Sequence, residues 1–170
     1  MKKIIIIRGP LGIGKSTVSK LITEKINAKY ISVDKVLDEN NLAPSGGIPV
    51  ENFLKANGII LEKVADSEIA VVDGNFYYQA QIDDLQRELK NNLLIISLTC
   101  SIEECINRNS GREKVYSEDA ARFVYSVTEN VRVGHYINTE NQTLEETVDE
   151  VLKYVKQFVF ENQENQELKS

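Results

Sequence analysis

Directly after an apolar run, Ile4 to Ile7, the chain reads Gly9-Pro10-Leu11-Gly12-Ile13-Gly14-Lys15-Ser16-Thr17, which fits G-x-x-x-x-G-K-[ST]. It then passes into a segment, Lys15 to Ile26, whose Val18, Leu21, Ile22 and Ile26 share one helical face. A strand, a glycine-rich turn and a helix in that order leave few folds open. Glycines let successive backbone N–H groups turn inward around phosphate oxygens, and the helix N-terminus adds a favourable dipole. The expectation is a phosphate-binding loop for a nucleoside triphosphate, with Gly9, Gly12, Ile13 and Gly14 supplying the backbone cradle. Lys15 is expected to reach the β- and γ-phosphates, Ser16 to ligate Mg²⁺, and Thr17 to sit near the α-phosphate.

The remaining apolar pattern alternates strand-like and helix-like pieces, which predicts an α/β fold with a parallel sheet covered by helices on both faces. Predicted strands are Lys3 to Arg8, Tyr30 to Val33, Glu68 to Val72, Asn92 to Leu98 and a short one at His135 to Ile137. Beyond the first helix, the pattern predicts helices from Val50 to about Ala65 behind Pro49, over Gln79 to Leu89, and from Ser117. Ser101-Ile-Glu-Glu104 and Thr143-Leu-Glu-Glu146 both fit a capping box and mark two more helix starts. With 170 residues, one domain over 1–160 and a polar tail over 161–170 are expected.

Composition narrows the function classes. Twenty basic against 26 acidic residues give a net charge of −6 and a pI near 5.0, which disfavours a broad grip on nucleic acid. No apolar stretch approaches the roughly 20 residues a membrane span needs, and the four-isoleucine start is too short for a signal peptide, so a cytoplasmic protein is expected. Cys100 and Cys105 form neither a CxxC nor a His-spaced metal pattern and read as reduced, inert thiols.

A cradle for phosphate does not say where the phosphate goes. Asp34 follows the second predicted strand, at the sheet edge where ligands meet an open parallel sheet, and is placed to accept or orient the proton of a hydroxyl nucleophile. The alternative for Asp34 is a helix N-cap. Asp73, in Val71-Val72-Asp73-Gly74, reaches the same edge and resembles a Walker B carboxylate holding the Mg²⁺ shell, with an Asp-Gly turn as the alternative. Arg108 and Arg112 flank a polar stretch suited to closing over a transferring phosphoryl group; solvated helix-end arginines are the alternative.

Together these residues resemble the small P-loop kinases of the nucleoside monophosphate kinase-like group. Glu104-Cys105-Ile-Asn-Arg108-Asn followed by Arg112 looks most like the AAA-type kinases that include polynucleotide 5′-hydroxyl kinases and antibiotic O-phosphotransferases. The resemblance implies a three-layer P-loop NTPase fold, a five-stranded parallel sheet in the order 2-3-1-4-5 and a mobile lid at about 108–116. It also implies that Asp34 acts on the acceptor hydroxyl, that the lid arginines contact phosphate and that the loop from Asn138 to Asn141 approaches the adenine.

No arginine lies between Gly9 and Gln86, the stretch expected to hold the acceptor; past the second predicted strand only Lys35, Lys55 and Lys63 are available there. Bidentate anion recognition is what arginine does best, so an acceptor without a strongly bound anionic group is expected. Phe53, Phe76, Tyr77 and Tyr78 surround that region, with Tyr77 and Tyr78 the better candidates for stacking on an acceptor ring. His135, the one histidine, is read as structural. The expected activity is ATP- and Mg²⁺-dependent phosphorylation of a small-molecule hydroxyl, preferably on a nucleoside or neutral polyhydroxyl compound. The alternatives are a polynucleotide 5′-hydroxyl or nucleotide kinase, and a nucleotide-dependent switch without transfer.

Overall fold

The isoleucine run becomes the central strand of the sheet because it can bury both faces at once. In a strand successive side chains point to opposite sides. Ile4 and Ile6 enter one apolar layer with Val36, Leu37, Phe53, Ile60 and Leu85, while Ile5 and Ile7 enter the other with Val18, Ile22, Ile96, Val151 and Val155. A computed structural model describes residues 2–110 and 117–161. Its strands are β1 (Lys3–Arg8), β2 (Lys29–Ser32), β3 (Ile69–Gly74), β4 (Leu93–Thr99) and β5 (His135–Asn138), all parallel, in the order β2-β3-β1-β4-β5. The expected topology is therefore present.

The helices are α1 (Lys15–Ile26), α2 (Val33–Glu39), α3 (Val50–Lys63), α4 (Gln79–Leu89), α5 (Ile102–Ser110), α6 (Glu118–Glu129) and α7 (Leu144–Lys156). The spans predicted for α1 and α4 match the observed ones, and Pro49 occupies the N-cap of α3. Two local expectations change. Val33, read as strand, opens α2, where burying it beside Val36 and Leu37 outweighs its β preference. Asp73, read as lying just past the third strand, is still within β3 and pairs with Ile7 of β1 and Ser32 of β2.

The Thr143 capping box is complete: Thr143 Oγ1 accepts from Glu146 N–H at 3.2 Å and the Glu146 carboxylate accepts from Thr143 N–H at 2.7 Å. At Ser101 only half forms. Its hydroxyl accepts from Glu104 N–H at 3.3 Å, but its own N–H donates to Glu140 at 2.5 Å, from the loop after β5, while Glu104 pairs with Arg108. That swap ties the start of α5 to the β5–α7 loop.

Arg8, at the C-terminal end of β1 and 2% exposed, was not singled out by its sequence context. Its guanidinium donates to Ser97 Oγ at 3.0 Å, Val131 O at 3.0 Å and Thr128 O at 2.8 Å. Burial lowers its pKa, yet the carbonyls at the C-terminal end of α6 favour the cation and anchor that helix beside the phosphate-binding loop. The expected lid lies largely outside the described residues, Arg112 included, as does the tail beyond Glu161.

Candidate active site

The G-x-x-x-x-G-K-[ST] segment links the end of β1 to α1 at the C-terminal edge of the sheet. Gly14 is the N-cap of α1 with φ +98°, and its carbonyl accepts from Thr17 and Val18 N–H, both at 3.1 Å. Lys15 is buried, and its ammonium donates to Pro10 O at 2.8 Å, which holds the side chain across the loop. Ser16 and Thr17 present their side chains to solvent.

Two cavities flank this loop. The larger, about 620 Å³, is walled by Leu11 of the loop, by Asp34, Leu37 and Asp38 of α2, by the loop 43–48, by Asn75 and Tyr77 after β3, and by Ala120, Phe123 and Val124 of α6. The smaller, about 290 Å³, lies against Ile13, Gly14 and Thr17 and is closed by Arg108, Thr139, Gln142, Leu144 and Thr147. One loop thus separates a compartment reached by Asp34 from one reached by Arg108, an arrangement that suits a donor and an acceptor meeting across it.

Asp34 stands in the first turn of α2 and is exposed; Ser32, not Asp34, is the N-cap residue, so the capping alternative does not hold. Its charge is close enough to raise the Tyr77 phenol, whose pKa is pushed up to about 12, chiefly by burial and further by Tyr78 and Asp34. Asp73, 2% exposed, accepts a hydrogen bond from the Tyr30 hydroxyl, and the Ser16 side chain lies close enough to that phenol to act on it. Burial and the Asp73 carboxylate hold the Tyr30 phenol well above its ordinary pKa, so it stays a donor. Tyr30 was not foreseen as a site residue. It bonds Asp73 and lies near Ser16, the two expected Mg²⁺ ligands, which offer the hard oxygen donors that Mg²⁺ prefers. Among the described residues there is no cluster of three or more His, Cys, Asp or Glu side chains that could hold a metal without further ligands.

Arg108 does not stand in the Asp34 compartment. Its guanidinium donates to Glu104 at 2.7 Å, Thr139 Oγ1 at 3.0 Å and Thr139 O at 3.1 Å, so it faces the residues of the β5–α7 loop. Of the aromatics, Tyr77 lines the larger cavity, whereas Phe53 and Phe76 are buried in the core, a correction for Phe76. Tyr78 acts one step back: its hydroxyl donates to Ile48 O at 3.2 Å and steadies the loop wall. Phe123, 64% exposed on α6, was missed; the signal was its place on the polar side of an amphipathic helix. His135 stacks on Tyr154 at 4.4 Å, away from both compartments, as a structural residue would. No described residue lining the larger cavity is basic, and Lys63 is paired with Glu39 at 2.9 Å.

Residues 11–163 match the family model for shikimate kinase. The chain is 24% identical over 170 residues to a shikimate kinase of Sulfurihydrogenibium sp., covering 92% of this chain and 99% of that one. It is 30% identical over 125 residues to an adenylate kinase of Methanothrix thermoacetophila, covering 64% and 58%. The crystal structure of a gluconokinase from Sinorhizobium meliloti superposes with a TM-score of 0.77 at 22% identity, over 96% of this chain and 97% of that one, and shares the fold. No described helix is long and apolar enough to cross a membrane.

Proposed function

Because the chain belongs to the shikimate kinase family, whose members are ATP-dependent small-molecule kinases, we propose that it phosphorylates a hydroxyl of an acceptor lacking a bound anionic group, preferably a nucleoside or a neutral polyhydroxyl compound. The observation that carries this reading is the lining of the 620 Å³ cavity: carboxylates Asp34 and Asp38, amide Asn75, phenol Tyr77 and apolar walls, with no basic side chain among the described residues. Shikimate and AMP, the acceptors that the relatives' names imply, are anions, and an anionic acceptor leaving water for this lining would meet carboxylates rather than guanidinium forks.

The geometry supports a division of labour. The backbone N–H groups of Gly9, Gly12, Ile13 and Gly14 and the Lys15 ammonium hold the triphosphate, while Thr17 meets its α-phosphate side. Ser16 and Asp73, with Tyr30 bonded to Asp73, would hold Mg²⁺, which when bound would neutralise charge on the phosphate oxygens. Asp34 accepts a hydrogen bond from the acceptor hydroxyl, aligns it for in-line attack and takes its proton as the new bond to phosphorus forms. Arg108 covers the nucleotide side against Thr139; the contribution of Arg112 follows only from the family resemblance.

The test is Asp34→Asn. The amide keeps the size and the place on α2 but cannot take a proton. Acceptor-dependent turnover falls by about 10²- to 10⁴-fold, and ATP affinity, measured by calorimetry, stays within about twofold. Retained turnover with intact ATP affinity would remove Asp34 from the reaction. ATP binding that no acceptor converts into turnover would favour the switch alternative.

A further inference from the structure

The two cysteines, five positions apart, carry no motif, but the fold brings them together against the phosphate-binding loop. Cys100 directly follows β4 and Cys105 lies near the start of α5; their Sγ atoms are 3.1 Å apart, with Cys105 fully buried and Cys100 7% exposed. A disulfide bond is about 2.05 Å long, so the sulfurs are about 1 Å from bonding distance. The Cys105 carbonyl forms the wall against Gly12, where a Cβ built on Gly12 would lie 2.0 Å from that oxygen. One residue therefore carries a sulfur of the pair and touches the loop backbone.

The other partner is anchored. Cys100 O accepts from the Tyr125 hydroxyl at 2.9 Å, and the next residue, Ser101, donates its hydroxyl to Glu140 at 2.7 Å. Drawing the sulfurs together therefore loads the first turn of α5, where the Cys105 N–H donates to Ser101 O at 3.1 Å and the Cys105 carbonyl faces Gly12. We propose that Cys100 and Cys105 are a modification site, forming a reversible intramolecular disulfide by exchange with a low-molecular-weight disulfide, and that the bond shifts the Cys105 carbonyl against Gly12 and weakens triphosphate binding. The second half of this proposal rests on the nucleotide reading of the loop; the first half does not.

The exchange balances without another reactant. The Cys100 thiolate attacks one sulfur of a low-molecular-weight disulfide such as oxidised glutathione, forming a mixed disulfide and expelling one thiolate, which takes a proton. Cys105 then loses its proton and attacks Cys100 Sγ, expelling the second thiolate. The pair gives up two electrons and two protons, and the reagent becomes two thiols. The order follows from the surroundings: the hydrogen bond with Cys105 and the Arg108 charge lower the Cys100 thiol, whereas that same hydrogen bond and burial raise Cys105. Cys100 is also the less buried of the two residues, at 7% exposure against none for Cys105.

The full-length protein is equilibrated with reduced and oxidised glutathione in varying ratio, quenched, alkylated under denaturing conditions and weighed intact, and ATP affinity is measured on the same samples by calorimetry. The expected result is a species two hydrogen atoms lighter than the reduced chain and carrying no alkyl group, with ATP binding weaker by about tenfold, the cost of one weakened hydrogen bond to a charged group, and restored by dithiothreitol. By linkage, saturating ATP shifts the exchange toward the dithiol by the same factor. Cys105→Ser stops at the mixed disulfide on Cys100, and Cys100→Ser forms neither species, which gives a second reading if one variant fails to fold. Wild-type protein that keeps two alkylatable thiols throughout overturns the site. A disulfide with ATP affinity unchanged overturns the coupling. Failure of the reduced protein to bind ATP would count against the nucleotide reading, while the mass measurement still scores the disulfide by itself.

Discussion

Gly12 and Gly14 belong to one motif, but the structure predicts that alanine fails at them for different reasons. At Gly14, φ is +98° and a Cβ would meet nothing within 4 Å, so Gly14→Ala faces backbone strain alone, about 1–2 kcal/mol. At Gly12, φ is +87° and the added carbon would sit 2.0 Å from Cys105 O and 2.9 Å from its carbonyl carbon. The shortest contact real Cβ atoms show is near 3.0 Å, so the loop and the start of α5 must separate by about 1 Å. Neither wall is a flexible side chain. Overpacking of this kind costs about 1–3 kcal/mol, which with the strain brings Gly12→Ala to about 2–5 kcal/mol. Urea unfolding followed by circular dichroism measures both variants, with ATP affinity in parallel. The expected order is wild type, then Gly14→Ala, then Gly12→Ala, with a gap of about 1–3 kcal/mol between the variants. Equal destabilisation would refute the argument that α5 backs the loop through Cys105.

Arg8→Ala removes the donor from Ser97 Oγ, Val131 O and Thr128 O, of which Thr128 O keeps the Val131 N–H at 3.2 Å, and frees the end of α6, so it should cost about 3 kcal/mol in the same unfolding assay; a change below about 1 kcal/mol would contradict the anchoring role. Tyr30→Phe strips the buried Asp73 carboxylate of its phenol donor. Turnover should then need more Mg²⁺, read from a Mg²⁺ titration, and an unchanged titration would dissociate Asp73 from the metal shell. Glu146 is held below its ordinary carboxyl pKa of 4.5 by the Thr143 N–H, and then by its hydroxyl. A depressed folded pKa means that the stabilisation is present above the unfolded value and is lost as the pH falls through the folded one. Glu146→Gln should therefore flatten the fall of Tm with acid below pH 4.5, and a parallel fall in both proteins would exclude this cap as a contributor.

What the sequence made legible was local. The Gly9–Thr17 segment, the spans of α1 and α4 and the Thr143 capping box depend on residues within a turn or two of one another, and periodicity finds them. The five-strand order came from the family resemblance and agrees with the fold. The partners that complete the site are distant in the chain. Tyr30 meets Asp73 across 43 positions, Arg8 meets Thr128 across 120, and Ser101 meets Glu140 across 39. Each is an ordinary residue until β2 lies beside β3, or α6 lies across the end of β1. Arg8 left a faint trace, as a charge closing a wholly apolar run just before the loop. Phe123 left none beyond an amphipathic mismatch. The place of Asp34 at the cavity wall was readable because a carboxylate after a strand is meaningful at this sheet edge, whereas the absence of basic residues among the described lining gained force only when α6 proved to be the opposite wall.

The measurement that bears most directly on the central claim is ATP turnover with matched acceptors: nucleosides and neutral polyols against AMP, shikimate and gluconate, with mass spectrometry on every product. The account predicts acceptor-stimulated ADP formation and a phosphorylated product from an uncharged member, with the anionic compounds inactive or far weaker. Efficient phosphorylation of shikimate or AMP, with the uncharged compounds ignored, would contradict it.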